Sequence, residues 1–249
     1  MSWVQAALLI ASGAAAGVVN AVAGGGTLIT FPALVAVGLP MVAANATNTV
    51  AIWPGTLASV YAYRGHIAQE RAFALSLAVP SLLGGLLGSV LLLALPERSF
   101  EQVVPYLILF ACLLLALQEP LRRMLTSSRT GNHRAVLWLV QLLIAVYGGY
   151  FGAGIGILML AAMSILLPSS LQHANGLKVL MSMLINGIAA VYFTTFGAVH
   201  WPEAAVMLVA ALAGGFVGAH LAQKLPPVAM RGVAIGVGLS AAARFLWHA

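Results

Sequence analysis

Residues 17–49 read GVVNAVAGGGTLITFPALVAVGLPMVAANATNT, and this stretch decides the fold. It overlaps an apolar segment, 4–38, that would reach about 52 Å as one helix at about 1.5 Å per residue. The hydrocarbon core of a bilayer is only about 30 Å thick. The glycine cluster Gly24–Gly26 near the middle of the segment favours a tight reversal. We therefore predict a broken helical hairpin, with Gly25 and Gly26 at its turn.

A second overlong segment, 135–167, contains Gly154 and Gly156 at the equivalent place, because the two halves of the chain match at an offset of 130 residues. The matches include Ala23-Gly24 with Ala153-Gly154, Gly26 with Gly156, Ala44-Asn45 with Ala174-Asn175, Gly84-Gly85 and Gly88 with Gly214-Gly215 and Gly218, and Leu95-Pro96 with Leu225-Pro226. Six other segments have the length of single spans: 44–63, 72–95, 103–118, 174–197, 204–223 and 232–247. Each repeat is thus a hairpin plus three spans, which is an odd number of crossings if the hairpin returns to its own side. The second repeat is then inverted, as in many secondary transporters.

The composition excludes a soluble protein. Of 249 residues, 62% are hydrophobic and only 6% are charged, whereas soluble domains carry about 25% charged residues. We predict an all-α polytopic membrane protein of 8 to 10 membrane segments. Its parts are repeat one (1–118), a basic linker (119–134) and repeat two (135–249). The net charge of +6 comes from scattered residues, so no nucleic-acid partner is expected.

Charge placement favours hairpins over single crossings. If both long segments return to the side on which they begin, eight Lys and Arg residues share one side and two share the other; single crossings give seven against three. Cytoplasmic loops are enriched in Lys and Arg. We therefore expect a multi-pass protein of the bacterial inner membrane, with the linker in the cytoplasm and both termini in the periplasm. Whether the hairpins cross fully or turn midway is left open.

Polar residues inside the apolar segments are the candidate binding residues, because they are costly in a membrane. Lys178 is the one charged residue far from any predicted membrane end; it either snorkels to the interface or attracts an anion in a polar cavity. Asn48 occupies the equivalent position in repeat one and is expected to line the same cavity. Asn45 and Asn175 are predicted helix N-caps, a place that also favours anions. The full candidate set is Lys178, Asn45, Asn48, Asn175, Thr47, Asn20, Gly25, Gly26, Gly154, Gly156 and Asn186.

Other chemistries find no support in the sequence. The chain has no Asp, and its five glutamates fall in predicted loops or at span ends, so a proton relay or Na⁺ site built on carboxylates is not expected. No catalytic Ser/His/Asp set and no metal-ligand spacing is present. We predict no enzyme, no cofactor and no metal.

Two motifs resemble a known family. Gly17-x-x-Asn20-x-x-Ala23-Gly24-Gly25-Gly26, followed by Pro32, Gly38-x-Pro40 and Ala44-Asn45-x-Thr47-Asn48, is similar to the N-terminal signature of the TauE/SafE sulfite exporters. Gly148-x-x-x-Gly152-x-Gly154-x-Gly156 and His173-Ala174-Asn175-Gly176-x-Lys178 are similar to its second repeat. The resemblance implies a bacterial inner-membrane carrier for sulfite, sulfoacetate or a related organosulfonate.

The resemblance and the residues together predict alternating-access export of a small sulfur oxyanion bound at the repeat interface. Two alternatives stay open: an anion channel, and a non-transporting membrane accessory protein of sulfonate metabolism. The expected partners are the oxyanion, the lipid bilayer and, in a homo-oligomer, further copies of the chain.

Overall fold

The computed structural model describes residues 1–22, 25–125, 134–166, 171–221 and 227–248. This part of the chain is helical and contains no strand. The ten helices are α1 (Trp3–Val22), α2 (Thr27–Ala36), α3 (Met41–Gln69), α4 (Arg71–Ala94), α5 (Glu97–Leu125), α6 (Arg134–Tyr150), α7 (Ile155–Leu166), α8 (Leu171–Thr195), α9 (Trp201–Leu221) and α10 (Pro227–His248). The prediction of an all-α polytopic membrane protein is confirmed.

The six predicted single spans correspond to α3, α4, α5, α8, α9 and α10. Five described helices combine the length and hydropathy of a membrane span, and these are α1, α4, α5, α8 and α10. The long helix α3 is absent from that group because polar residues crowd its first half, including Asn45, Thr47 and Asn48, all buried. Helix α5 continues to Leu125 and so includes the first residues of the predicted linker, of which 126–133 lie outside the described residues.

Both overlong segments are helical hairpins. In the first, α2 has 10 residues, about 15 Å, and cannot cross a bilayer by itself. The Gln5 amide near the start of α1 donates a hydrogen bond to the Val37 carbonyl just after α2, at 2.8 Å. The segment therefore ends at the level where it begins, and α2 is a half-helix. In the second, α7 has 12 residues, about 18 Å, and is equally short.

The two halves pack as an inverted pair. Helix α1 packs most extensively on α9, and its repeat counterpart α6 packs on α4, the counterpart of α9. The counterparts α3 and α8 cross each other: Trp53 contacts Met183, while His66 and Ile67, toward the end of α3, contact Gly176, near the start of α8. These two helices are antiparallel. Two equivalent helices in contact are antiparallel only when their two-fold axis is perpendicular to them, which is the geometry of inverted repeats.

Glycines permit the closest helix crossings. A Cβ on Gly88 of α4 would lie 2.1 Å from the Val146 carbonyl of α6, and one on Gly214 of α9 would lie 2.1 Å from the Ala14 carbonyl of α1. Small residues allow such contact between backbones in membranes. At these positions the glycine patterns of α4 and α9 serve helix packing.

Candidate functional site

The two glycine reversals meet at one turn of α5. Gly25 lies against Leu115, and Gly154 lies against Ala111 and Leu114. Gly25 and Gly154 have φ angles of 95° and 79°, in the left-handed region that residues with a Cβ rarely adopt. The reversals thus require glycine, and the fold brings the N-termini of α2 and α7 toward each other at the repeat interface.

The repeat-one half-site comprises Asn20, Gly26, Thr30, Asn45 and Asn48. The Gly26 N–H donates to Asn20 Oδ1 at 2.8 Å, at the N-terminus of α2. The Thr30 hydroxyl lies within hydrogen-bonding distance of both Asn48 Oδ1 and the Gly26 carbonyl. Apart from Asn20, these residues are buried. The polar groups of α2 and α3 therefore largely satisfy one another.

Asn45 extends this half-site to the second repeat. Its Nδ2 donates to the Tyr150 carbonyl at the end of α6, at 3.0 Å, and its Oδ1 is buried without a hydrogen-bond partner among the described residues. A carbonyl can only accept, so Nδ2 must face Tyr150 and Oδ1 must point away from it. Asn45 thus caps the C-terminal end of α6, with one acceptor left over.

Replacing Thr30 with valine is expected to destabilise this half-site. The change keeps the shape of the side chain but removes the donor to Asn48 Oδ1, which is buried. An unsatisfied buried polar group costs about 1–3 kcal/mol. Thermal unfolding in detergent should show a lower midpoint for Thr30→Val and a near-normal midpoint for Thr30→Ser, which keeps the hydroxyl. Equal midpoints for Thr30→Val and wild type would show that the hydrogen bond has no net stabilising effect.

The repeat-two half-site comprises Gly154, Gly156, Asn175 and Lys178, all half-buried. Lys178 Nζ donates to Asn175 Oδ1 at 3.0 Å, and the Lys178 stem passes beside Gly156, with its Cδ 3.6 Å from a Cβ built there. An ammonium has three N–H donors. None of the ion pairs in the described part of the chain involves Lys178. This half-site therefore combines a cation, spare donors and the N-terminus of α7.

The two half-sites lie on opposite sides of the α3–α8 crossing. Asn48 and Lys178 each precede their contact residue, Trp53 or Met183, by five residues. In an antiparallel pair these intervals add, and they separate Asn48 from Lys178 by about 15 Å along the helices. The structure thus places Asn48 and Lys178 at different levels of the bundle, and a cavity that they share stays a prediction.

Asn45 and Asn175 are not helix N-caps, and that expectation was wrong. Helix α3 begins at Met41 after Pro40, and α8 is already helical at Leu171, so each asparagine is the fifth residue of its helix. Proline lacks an N–H and suits a helix start, which is why α3 begins earlier than the asparagine pattern indicates.

Two other predicted site residues, Thr47 and Asn186, form their hydrogen bonds outside the two half-sites. The Thr47 hydroxyl accepts a hydrogen bond from the His200 N–H, which precedes α9, at 3.0 Å. Asn186 Nδ2 donates to the Ser182 carbonyl of its own helix, while Oδ1 faces the Gly152 turn. Thr47 thus joins α3 to the α9 end, and Asn186 borders the second reversal.

Sequence reasoning missed the residues that join α3 to α8. The Trp53 indole donates to the Met183 carbonyl at 3.0 Å and lies against Gly187. At the end of α3, Gln69 Oε1 lies 2.7 Å from His173 Nε2, and Glu70 Oε1 lies 3.4 Å from His173 Nδ1. The polar run 64–71 was a signal that this helix end carries contacts, but it did not identify the partner. His173 therefore joins the N-terminal end of α8 to the C-terminal end of α3, and it lies more than one helical turn from Lys178.

Comparison with known proteins finds one family model and several relatives that match most of the chain. Residues 9–245 match the family model described as Sulfite exporter TauE/SafE. A "Probable membrane transporter protein" of Haemophilus influenzae is 31% identical over 222 residues, covering 88% of this chain and 84% of the relative. A protein of Sinorhizobium sp with a similar description is 27% identical, covering 96% and 92%. The "Probable membrane transporter protein YfcA" of Escherichia coli K12 is 28% identical, covering 84% and 76%. No solved structure matches the chain.

Proposed function

The chain belongs to the sulfite exporter TauE/SafE family, and we propose that it is an inner-membrane secondary transporter that exports a small sulfur-containing anion by alternating access. Sulfite or an organosulfonate is the proposed substrate. The anion is held at the repeat-two half-site by Lys178, Asn175 and the N-terminus of α7. A transport role, with no catalysis, is part of this proposal.

The half-buried Lys178 is the observation that carries the proposal. A cation within a membrane helix is costly unless it is paired or faces a polar cavity. Its only described polar partner is the neutral Asn175, so an anion would supply the missing countercharge. The N-terminus of α7 adds N–H donors and a partial positive charge, which together favour anions. Gly156 leaves room for an anion beside the Lys178 stem.

The positions of the glutamates support an anionic substrate. Glu70, Glu97, Glu101, Glu119 and Glu203 all lie at or near helix ends, and Glu70 and Glu119 contact His173 and Arg231 there. None of them neutralises Lys178 from within the described part of the bundle. Without a carboxylate at the membrane centre, we propose facilitated efflux, or coupling to a proton carried by the substrate or by a histidine.

The proposed orientation places both termini in the periplasm and the linker 119–134 in the cytoplasm. Both ends of the first hairpin lie on one side of the bundle. The distribution of Lys and Arg to compare with the positive-inside rule is therefore eight against two, and it favours this orientation. The repeat-two half-site, near the start of α8, then lies on the cytoplasmic side of the α3–α8 crossing, where an exporter captures its substrate.

The direct test is flux in proteoliposomes. Purified protein should move sulfite or an organosulfonate such as sulfoacetate faster than sulfate, thiosulfate or chloride, as measured with radiolabelled anions. Counterflow stimulated by substrate on the far side should accompany this flux, because a carrier must return its site across the membrane. Large single-channel currents without counterflow would indicate a channel instead. No flux of any of these anions by folded protein would contradict the proposal and favour an accessory role.

A further inference from the structure

The two half-sites are equivalent in backbone but different in chemistry. Applying the offset of 130 residues, Asn20 corresponds to Tyr150, Thr30 to Leu160, and Asn48 to Lys178. Gly26 immediately precedes α2 and Gly156 is the second residue of α7, so both lie at the N-terminal end of a half-helix. Asn20, Thr30 and Asn48 cluster at the N-terminus of α2, whereas Lys178 lies beside the N-terminus of α7.

In repeat one, the helix N-terminus already has its acceptor. Asn20 Oδ1 accepts the Gly26 N–H at 2.8 Å, and the amide packs so closely that a Cβ on Gly26 would lie 2.5 Å from Asn20 Nδ2. Thr30 engages Asn48 in the same cluster. Gly26, Thr30 and Asn48 are buried and only Asn20 is exposed, so Asn20 covers this half-site, which carries no charged residue.

In repeat two, the corresponding acceptor is missing. The Tyr150 ring packs edge-on against Phe100, with centroids 5.5 Å apart, and Tyr150 offers its carbonyl to Asn45 instead. The Leu160 side chain has no hydrogen-bonding group. No described side chain accepts from the Gly156 N–H, while Lys178 adds a positive charge next to it. Gly154, Gly156, Asn175 and Lys178 are all half-buried, so this half-site is less enclosed than Gly26, Thr30 and Asn48 of repeat one.

We propose that the Asn20 carboxamide oxygen occupies, in repeat one, the position that an anion oxygen takes in repeat two. The chain then binds one anion, at the repeat-two half-site only, and Asn20 prevents the second, equivalent N-terminus from binding another. This inference rests on the proposed function, because it takes Lys178 and the N-terminus of α7 as the anion site. It makes Asn20 a residue that determines how many anions are bound and where.

The physical reason is the competition for one set of donors. A helix N-terminus favours an anion because its free N–H groups lack acceptors. A tethered carboxamide supplies the acceptor without the charge, and an anion would have to displace it while finding no cation nearby. The difference between Asn48 in repeat one and Lys178 in repeat two also favours binding in repeat two, because only repeat two provides a charge to attract the anion.

The test moves the anion site from repeat two to repeat one. Binding of radiolabelled sulfite to purified protein in detergent should saturate at one anion per chain for the wild type and be lost in Lys178→Asn. The triple variant Asn20→Ala, Asn48→Lys, Lys178→Asn should again bind one anion, because the cation and the free N-terminus are now both in repeat one. The matched double variant that keeps Asn20 should bind about tenfold more weakly than the triple variant.

The possible negative results distinguish failure of the proposed anion site from failure of the inference about Asn20. Wild-type binding in Lys178→Asn would overturn both the proposed site and this inference, which depends on that site. Two anions bound per wild-type chain would overturn the inference directly. Loss of binding in Lys178→Asn that the folded triple variant does not restore would overturn the inference while the proposed function stands.

A milder variant covers the case in which the Asn48→Lys change prevents folding of the triple variant. Asn20 is exposed, and Asn20→Ala removes only the acceptor for Gly26. The melting temperature of this variant should rise more with sulfite at high concentration than that of the wild type, because the freed N-terminus of α2 then binds a second sulfite, more weakly than the site at Lys178. Asn20→Asp should abolish the extra rise, since a carboxylate caps the N-terminus more strongly. Equal rises in all three proteins would overturn the inference.

Discussion

Replacing Lys178 with methionine is expected to reduce transport of the sulfur anion by about a hundredfold while the protein still reaches the membrane. Methionine keeps the length and flexibility of the side chain but removes the charge and the donors. Truncating one partner of a buried charge pair typically costs about 2–5 kcal/mol, which corresponds to this loss. The fold should persist, because Lys178 is half-buried and its described polar contact is with Asn175, one turn away.

The conservative variant separates charge from packing. Lys178→Arg keeps the positive charge and N–H donors but presents them in a planar fork. We expect it to retain a measurable fraction of the flux, with a raised KM for sulfite. The two variants are compared in proteoliposomes at equal reconstituted amounts. Normal flux in Lys178→Met would remove Lys178 from the site and favour its snorkelling to the interface.

Replacing Gly88 with alanine is expected to have the largest effect on stability. A Cβ at this position would lie 2.1 Å from the Val146 carbonyl and 2.7 Å from the Tyr150 N–H nitrogen, both backbone atoms of α6. Backbone atoms cannot rotate away, so α4 and α6 must separate. Overpacking costs about 1–3 kcal/mol and sometimes more, and here the displaced helix also leads into the second reversal. We expect a clearly lower melting temperature in detergent and a lower yield of monodisperse protein.

The chain provides a matched control for this change. Gly55 in α3 is also a helical glycine, but nothing lies within 4 Å of a Cβ built on it. Gly55→Ala should leave the melting temperature unchanged or raise it slightly, because alanine favours helices by up to about 1 kcal/mol over glycine. If Gly88→Ala melted like Gly55→Ala, the close crossing of α4 and α6 would not limit stability.

Much of the fold follows from length and hydrophobicity. A bilayer admits a narrow range of helix lengths, so two overlong apolar segments with central glycines imply hairpins, and α1–α2 and α6–α7 are hairpins. The predicted span 72–95 corresponds closely in extent to α4, Arg71–Ala94. Residue preferences predicted the helix starts less well. Asparagine is a common N-cap, but α3 begins directly after Pro40, about one turn before Asn45.

The candidate site was predictable only in part. Lys178 and the reversal glycines were identifiable because charge in an apolar run and clustered glycine are local features of the sequence. The partner of Asn45 is Tyr150, 105 residues away, and no local pattern indicates that pairing. The same holds for Trp53 with Met183 and for Thr47 with His200.

By itself, the sequence determined the membrane class, the two hairpins, the internal repeat and the presence of one cation within the apolar segments. These properties depend on composition and on spacing along the chain, which the bilayer thickness converts into helices. Only the tertiary structure decided that α3 and α8 cross in antiparallel fashion, and that Asn48 and Lys178 therefore lie on opposite sides of that crossing. It also decided that Asn20 accepts a hydrogen bond at the N-terminus of α2, while no side chain in the described ranges does so at the N-terminus of α7. Such contacts depend on how side chains from distant segments meet, and the interhelical packing sets this.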